Sequence, residues 1–367
     1  MDPVKVGIIG CGYISGTYLK NSKLLKILDV TACADLVPER ADKRAQEFNI
    51  PKACSVEELL NDPEIEIVLN LTTPDAHYKI ARASIDSGKS VYNEKPIAID
   101  LTEGEELVNA AEQAKVLLGG APDTFMGGGI QTCRKLIDDG WIGEPVAATA
   151  FMTCHGHEGW HPNPEFYYKT GGGPMFDMGP YYLTALVNLI GPIKSVKGSA
   201  RITFPERTIT SEPKHGMKIT VDVPTHVAGV IDFRNGAIAT IITSFDVWAA
   251  QLPRIEIYGS TGSLSVPDPN TFGGPVKILR MGEQEWSAVP LTHGYTANSR
   301  GIGVADMAQA LRSNRTPRAN GHLTYHILEA MHAFHKASLE EKTIFLDSNC
   351  ARPEPLPLGL FDGTLDS

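Results

Sequence analysis

The chain of 367 residues is poor in cysteine, has no long apolar run and is short of positive charge. Its six cysteines, Cys11, Cys33, Cys54, Cys133, Cys154 and Cys350, form no C-x-x-C pair and no Cys/His group at zinc-finger spacing. That excludes a disulfide scaffold and a zinc module, and it suits buried, reduced thiols in a cytoplasmic protein. No stretch approaches the roughly 18 to 20 apolar residues of a membrane span. The first residues lack the basic flank and apolar core of a secretion signal. Lys and Arg number 33 against 43 Asp and Glu, a net charge of −10, which argues against a nucleic-acid binder. Glycine and proline are plentiful at 35 and 25 but follow no period, so a fibrous or low-complexity chain is excluded. A globular chain of this length divides into two domains.

Over the first part of the chain, apolar runs alternate with helical patterns, the mark of βαβ units and a parallel sheet. Strands are expected at Val4 to Ile9, Leu28 to Ala34, Ile65 to Leu71, Ser90 to Asn93 and Val116 to Leu118. Helices are expected from Tyr13 to Lys26, from Pro38, and from Asp75 to Ser87, with capping boxes at Ser55 and Thr102. After Gly120 a helix (Ile130 to Asp139) is followed by strand-like stretches with turn signals between them, which predicts a largely antiparallel sheet. Late helices near Val304 to Arg312 and Leu323 to Leu339 either pack back on the first domain or flank that sheet. The expected architecture is α/β plus α+β. Residues 1–122 form a Rossmann dinucleotide-binding domain, and residues 123–367 form a domain with a large, open, mostly antiparallel sheet.

Gly10-Cys11-Gly12-Tyr13-Ile14-Ser15 follows the first strand and opens a helix. Gly10 permits the tight turn, Gly12 lets backbone approach a pyrophosphate, and the helix N-terminus offers N–H groups to it. Ser15 stands at the third small position. Asp35 ends the second strand, where an acid accepts hydrogen bonds from the adenosine ribose and repels a 2′-phosphate. This favours NAD, and Arg40 close by tempers the choice toward tolerating NADP. Thr72, Thr73 and Pro74 follow a later strand, at the sheet end where ligands bind, and would line the cofactor. His77 either caps its helix or faces the cofactor. Cys11 lies inside the Gly motif, and the reading as a buried, reduced thiol is favoured there over an oxidation-sensitive one.

Glu94-Lys95-Pro96 follows the strand Ser90 to Asn93, and Gly171-Gly172-Gly173 precedes Asp177-x-Gly179 and Tyr181. With the Gly turn, these motifs resemble the Gfo/Idh/MocA oxidoreductases, over nearly the whole chain. The family places His or Tyr four residues after the Asp. Tyr181 resembles the glucose–fructose oxidoreductase-like members and departs from the inositol dehydrogenase-like ones. The resemblance implies hydride transfer between nicotinamide and a sugar, glycoside or cyclitol hydroxyl, with Glu94 and Lys95 at the cofactor. It also implies a homodimer or homotetramer formed through the second-domain sheet.

Oxidising a secondary alcohol requires a base for its proton and groups to hold it in line. Lys95 is the first candidate base, because desolvation beside a cationic ring lowers an amine's pKa. Asp177 and Tyr181, if on one helix, share a face at i,i+4. Tyr181 then relays the proton and Asp177 orients hydroxyls or Lys95. A loop rich in polar aromatics, with His155, His157, Trp160, His161 and Tyr168, offers substrate contacts. The three histidines are read as carbohydrate contacts and not as metal ligands. Tyr295 and Arg300 either close over the site or sit on a solvated loop. Two alternatives use the same residues. One is a redox-assisted glycoside-cleaving enzyme that regenerates its NAD each cycle. The other is a non-catalytic dinucleotide sensor, against which intact Lys95 and Asp177 argue.

Overall fold

The structure is a computed structural model that describes residues 2–360 and 363–366. It divides into two compact units, one of residues 1–131, 292–325 and 353–367 and the other of residues 132–291 and 326–352. The expected single boundary at residue 122 is therefore replaced by a chain that leaves the first unit and returns to it twice.

The first unit begins with β1 (Val4–Ile9), α1 (Ser15–Ser22), β2 (Leu28–Ala34), α2 (Pro38–Phe48), β3 (Lys52–Ala53), α3 (Val56–Leu60), β4 (Ile67–Asn70), α4 (Pro74–Asp86), β5 (Ser90–Asn93), α5 (Leu101–Ala114) and β6 (Leu118–Gly120). All its strands pair in parallel in the order β3-β2-β1-β4-β5-β6, a doubly wound sheet. β4 and β5 are buried along their whole length, as a parallel sheet covered on both faces requires. Ser55 caps α3 through a reciprocal box with Glu58. The box expected at Thr102 is absent: Asp100 caps α5 by accepting the Thr102 N–H, so the helix starts earlier than the Thr. Helix α1 is shorter than the expected span, ending at Ser22.

The edge of this sheet is covered by returning chain. Gly120 N–H donates to Ala319 O at 3.1 Å, and Gly119 bridges to Asn320. A side chain at position 119 would meet the Met307 methyl at 2.7 Å. Covering the edge removes a row of unpaired backbone groups, which is why the late segment belongs to the first unit.

Next come α6 (Gly128–Asp138), β7 (Pro145–Thr153), α7 (Gly173–Asp177), α8 (Gly179–Leu189), β8 (Ile193–Arg201), β9 (Glu206–Thr208), β10 (Lys218–Thr220), β11 (His226–Phe233), β12 (Ile238–Ser244), β13 (Ile255–Gly259), β14 (Gly262–Val266), β15 (Val276–Arg280), β16 (Ser287–Val289), α9 (Ile302–Ser313), α10 (Gly321–Glu340) and β17 (Ile344–Phe345). In the second unit nine strands form one sheet in the order β16-β15-β14-β13-β7-β12-β11-β8-β17. Only β7 with β12 pairs in parallel there; the other neighbours are antiparallel. One face is apolar and buried, with Ala148, Ala150, Ala239 and Ile241 near zero exposure. Phe334 of α10 rests on the paired glycines Gly198 and Gly229, where a Cβ at 229 would come within 2.5 Å of its ring. Among the described residues no helix is long and apolar enough to cross a membrane.

His326 of α10 is buried. Its Nε2 accepts the Ile193 N–H at 3.0 Å, so its proton sits on Nδ1, facing Ser348 Oγ at 2.7 Å. Burial pulls its pKa from 6.5 down to about 4. A folded-state pKa below the unfolded value means that the unfolded chain takes up the proton first. Stability from this group is therefore complete above about pH 6.5 and is lost as pH falls toward 4, by about 3 kcal/mol. His326→Gln should flatten the pH dependence of urea midpoints over that window by about this amount; a wild-type slope in the variant would contradict the assignment.

Candidate active site

At the end of β1 the chain turns through Gly10 (φ +102°), where a Cβ would lie 2.5 Å from the Leu71 carbonyl carbon. Only glycine fits. Gly12 has open space around it. No side chain caps α1, so no capping side chain competes with an anion for the start of the helix. Asp35 accepts the Cys11 N–H at 2.7 Å and the Val37 N–H at 2.9 Å, which ties the turn to the end of β2. Arg40 Nη1 is 4.0 Å from the same carboxylate. Arg44, which sequence reasoning missed, donates to Gly12 O at 3.0 Å and to Ser15 Oγ at 3.1 Å. Its only signal was a helical position one turn beyond Arg40. Tyr13 projects into solvent and Ile14 is half-buried. Cys11 is buried, and a hydrogen bond with Cys33 together with burial raises its thiol pKa, so it stays protonated and unreactive. These residues fit a dinucleotide: a Gly cradle, an uncapped helix and an acid beside the ribose position.

The ends of β4 and β5 carry a buried polar network. Asn70 and Asn93 are fully enclosed. Asn70 Nδ2 donates to Asn93 Oδ1 at 2.9 Å and to His77 O at 3.1 Å, and its Oδ1 accepts the Thr72 hydroxyl at 2.7 Å. Asn93 Nδ2 donates to Ile97 O at 3.0 Å. His77 sits between two carbonyl oxygens, Pro96 O at 2.6 Å and Thr72 O at 3.0 Å. It neither caps its helix nor faces solvent; it joins the Thr72-Thr73-Pro74 turn to the Lys95 loop. Burial lowers its pKa against the pull of those two carbonyls. Glu94 accepts the Tyr18 hydroxyl at 2.7 Å and the Lys95 N–H at 3.0 Å. The Lys95–Pro96 peptide is cis. Nearby, Asp123 accepts the N–H groups of Gly301 and Gly303 at 2.8 and 3.1 Å, and burial pushes its carboxyl up to about 6.

Tyr295 and Arg300 also belong to the first unit. Asn21 of α1 binds the carbonyls of Asn298 and Arg300 at 3.1 and 2.8 Å, and the Tyr295 hydroxyl donates to Thr364 O at 2.5 Å. The segment is thus anchored to α1 and is not a free solvated loop.

In the second unit Asp177 ends α7, and Tyr181 lies in the first turn of α8 with Met178 between them. The two are not on one continuous helix, which corrects the i,i+4 expectation: Gly179-Pro180 starts a new helix. Both side chains are largely buried. Asp177 Oδ2 lies 3.1 Å from His157 Nε2. His157 packs against Trp160, Tyr167 and Phe245, and His161 against Trp160, Phe166 and Tyr167. His161 Nδ1 accepts the Asn163 N–H at 3.0 Å, and burial lowers its pKa. His155 stacks on Trp248, a residue the sequence did not flag. Among the described residues, no three His, Cys, Asp or Glu converge as a metal site.

Tyr168 is a correction. It is wholly buried, and its hydroxyl donates to Glu158, which also pairs with buried Arg207. It braces the loop from below and offers no face to a ligand. Gly172 is required above it, since a Cβ there would meet Phe166 O at 2.5 Å.

A doubly wound parallel sheet with an uncapped Gly turn, joined to a unit with a large open sheet, defines a dinucleotide-dependent oxidoreductase. Residues 4–120 match the oxidoreductase family with an NAD-binding Rossmann fold, and residues 130–265 match the GFO/IDH/MocA C-terminal domain. The chain belongs to the Gfo/Idh/MocA oxidoreductase family. It is 23% identical to the NADP(+)-dependent scyllo-inositol 2-dehydrogenase of Bacillus subtilis, over 95% of this chain and 97% of that protein. It is 28% identical to 1,5-anhydro-D-fructose reductase of Ensifer adhaerens, over 86% of this chain and 90% of that one. Levoglucosan dehydrogenase in complex with NADH shares the fold at a TM-score of 0.81 and 19% identity, over 95% of this chain and all of that one.

Replacing Asp35 by Ala removes two bonds to the turn and the acid at the ribose, and leaves Arg40 and Arg44 in place. The ratio of NAD to NADP affinity should fall about tenfold, in line with the roughly 1.5–3 kcal/mol of a charged hydrogen bond. Cofactor titration by fluorescence measures it, and an unchanged ratio would remove Asp35 from cofactor choice.

Proposed function

We propose that the protein transfers hydride between NAD(P) and a secondary hydroxyl or carbonyl of a sugar, glycoside or cyclitol. Gly10, Gly12, Tyr13, Ile14, Asp35, Arg40 and the Thr72-Thr73-Pro74 turn hold the cofactor, with Glu94 and Lys95 at its ribose. Nicotinamide bound there supplies the hydride acceptor or donor. Lys95 takes the substrate hydroxyl proton, and Tyr181 relays it. Asp177, held by His157 at 3.1 Å, accepts hydrogen bonds from neighbouring hydroxyls. His161, Trp160 and Arg300 complete the substrate contacts.

One observation carries the reading. Tyr18, His77 and Asn93, three side chains on three elements, all bind the four-residue segment Glu94–Ile97 that bears Lys95. A proton-transfer group works only when its position is fixed to a fraction of an ångström, and a solvated surface lysine needs no such frame. The relatives' names, an inositol dehydrogenase and an anhydrofructose reductase, support the substrate class.

The reading also includes a homodimer or homotetramer formed through the open sheet. Phe151, Ile242 and Ala228 lie side by side on β7, β12 and β11 on the face opposite the core, half-buried in the single chain. An apolar stripe of this kind suits a second copy. Light scattering should show a dimer or larger, and a monomer at working concentration would contradict it. The free thiols fit a reducing cytoplasm.

An NAD+ reduction screen over aldoses, glycosides and cyclitols tests the activity. Lys95→Ala should lose about 10²- to 10⁴-fold in kcat and keep its NAD affinity. Undiminished turnover would remove Lys95 from the chemistry. Aglycone release without net NADH would show the redox-assisted cleavage instead.

A further inference from the structure

Trp248 is 82% exposed, yet its position is closely fixed. Its ring lies on His155 with centroids 3.4 Å apart and planes 14° from parallel. The residue before it, Val247, donates its N–H to Cys154 O at 3.0 Å. Asp246, next along, pairs with buried Arg207 and accepts the Thr225 hydroxyl at 2.7 Å. Arg207 also holds Glu158 at 2.7 Å, so one guanidinium fastens both loops that meet at the stack. An exposed surface tryptophan without a role has no need of such a mount.

The surroundings identify the ligand. Two residues along from His155, His157 binds Asp177, and two residues of extended chain span at most about 7 Å. Gly156 makes the step possible, because a Cβ there would strike the Tyr168 hydroxyl and Glu158. One indole face is covered by His155. The other stands open, and the loop that carries His155 also carries His157, the partner of the carboxylate Asp177. The negative face of an aromatic ring attracts the slightly positive C–H edges of a saturated ring. A flat apolar face stacked on the loop that also holds a carboxylate matches a hydroxylated six-membered ring, with C–H groups on one face and hydroxyls at its rim.

We propose that Trp248, backed by His155, is the specificity-determining platform on which the C–H face of a pyranose or cyclitol ring stacks. This rests on the sugar-directed reading above and adds to it that the substrate is cyclic. Open-chain polyols, which present no flat C–H face, are poor ligands.

The test uses the full chain loaded with NAD+, with methyl α-D-glucopyranoside and myo-inositol as probes. Wild type, Trp248→Phe and Trp248→Ala are compared by saturation-transfer NMR, equilibrium binding and steady-state kinetics. In wild type the ring C–H protons of a bound probe receive saturation. In Trp248→Ala that signal is lost and Kd rises about tenfold or more, roughly 1.4 kcal/mol, with KM taking most of the kinetic loss. Trp248→Phe, which keeps an aromatic face, restores most of both. Equal Kd in wild type and Trp248→Ala, or no saturation of either probe in wild type, overturns the proposal. So does a Trp248→Ala effect confined to oligomer size, which would mean that the indole packs on a second copy. Trp248-dependent ring binding without NAD+ reduction by any sugar keeps the platform and removes the hydride-transfer reading. NAD+ reduction indifferent to Trp248→Ala does the reverse.

Discussion

The ends of β4 and β5 bury two asparagine amides and an imidazole, and every one of those polar groups has to find a partner inside the protein. An unsatisfied buried donor or acceptor costs about 1–3 kcal/mol, so the partners are obligatory. The two amides bond to each other and to the carbonyls of His77 and Ile97, and the single N–H of the neutral imidazole goes to Pro96 O or Thr72 O, the carbonyls on either side of it. Satisfying the network therefore fixes two loops together: the Thr72-Thr73-Pro74 turn after β4 and the segment after β5 that carries Lys95. The same groups that would destabilise the sheet ends if left alone become the frame that holds the segment bearing Lys95.

Much of this was legible in the sequence because its causes are local. Strand β5 is read correctly to the residue, since Gly88 ends the helix before it and the Glu94-Lys95-Pro96 motif bounds it on the other side. The Gly10 turn and the Ser55 box depend on a few neighbouring residues and were read as they stand. The failures are non-local. The sequence around His77 suits capping and cofactor contact equally, and its place is set by Pro96, nineteen residues away. Tyr168 looked like a surface aromatic because nothing adjacent reveals that Glu158 and Arg207 enclose it. Asp177 and Tyr181 have helical spacing, but Gly179-Pro180 between them starts a second helix.

Trp248 shows the same limit from the other side. It lies in a stretch with no motif, between a strand and a turn. Its significance comes from His155, in the loop that follows β7, and from Arg207, on β9. Side-chain constellations built across parallel β7 and β12 leave no spacing signal, because the two strands are far apart in the chain. The second unit's chemistry is written in its topology far more than in its local sequence.

Family membership and the doubly wound sheet give an NAD(P)-binding oxidoreductase, and the framed segment bears our central proposal, that a substrate hydroxyl gives its proton to Lys95 while nicotinamide takes the hydride. The most direct measurement is a crystal structure with NAD(P) and a bound sugar or cyclitol. It should place Lys95 Nζ at hydrogen-bond distance, about 2.6–3.2 Å, from a ring hydroxyl whose carbon faces nicotinamide C4. A ligand bound beside the nicotinamide with Lys95 turned away from every hydroxyl would contradict it.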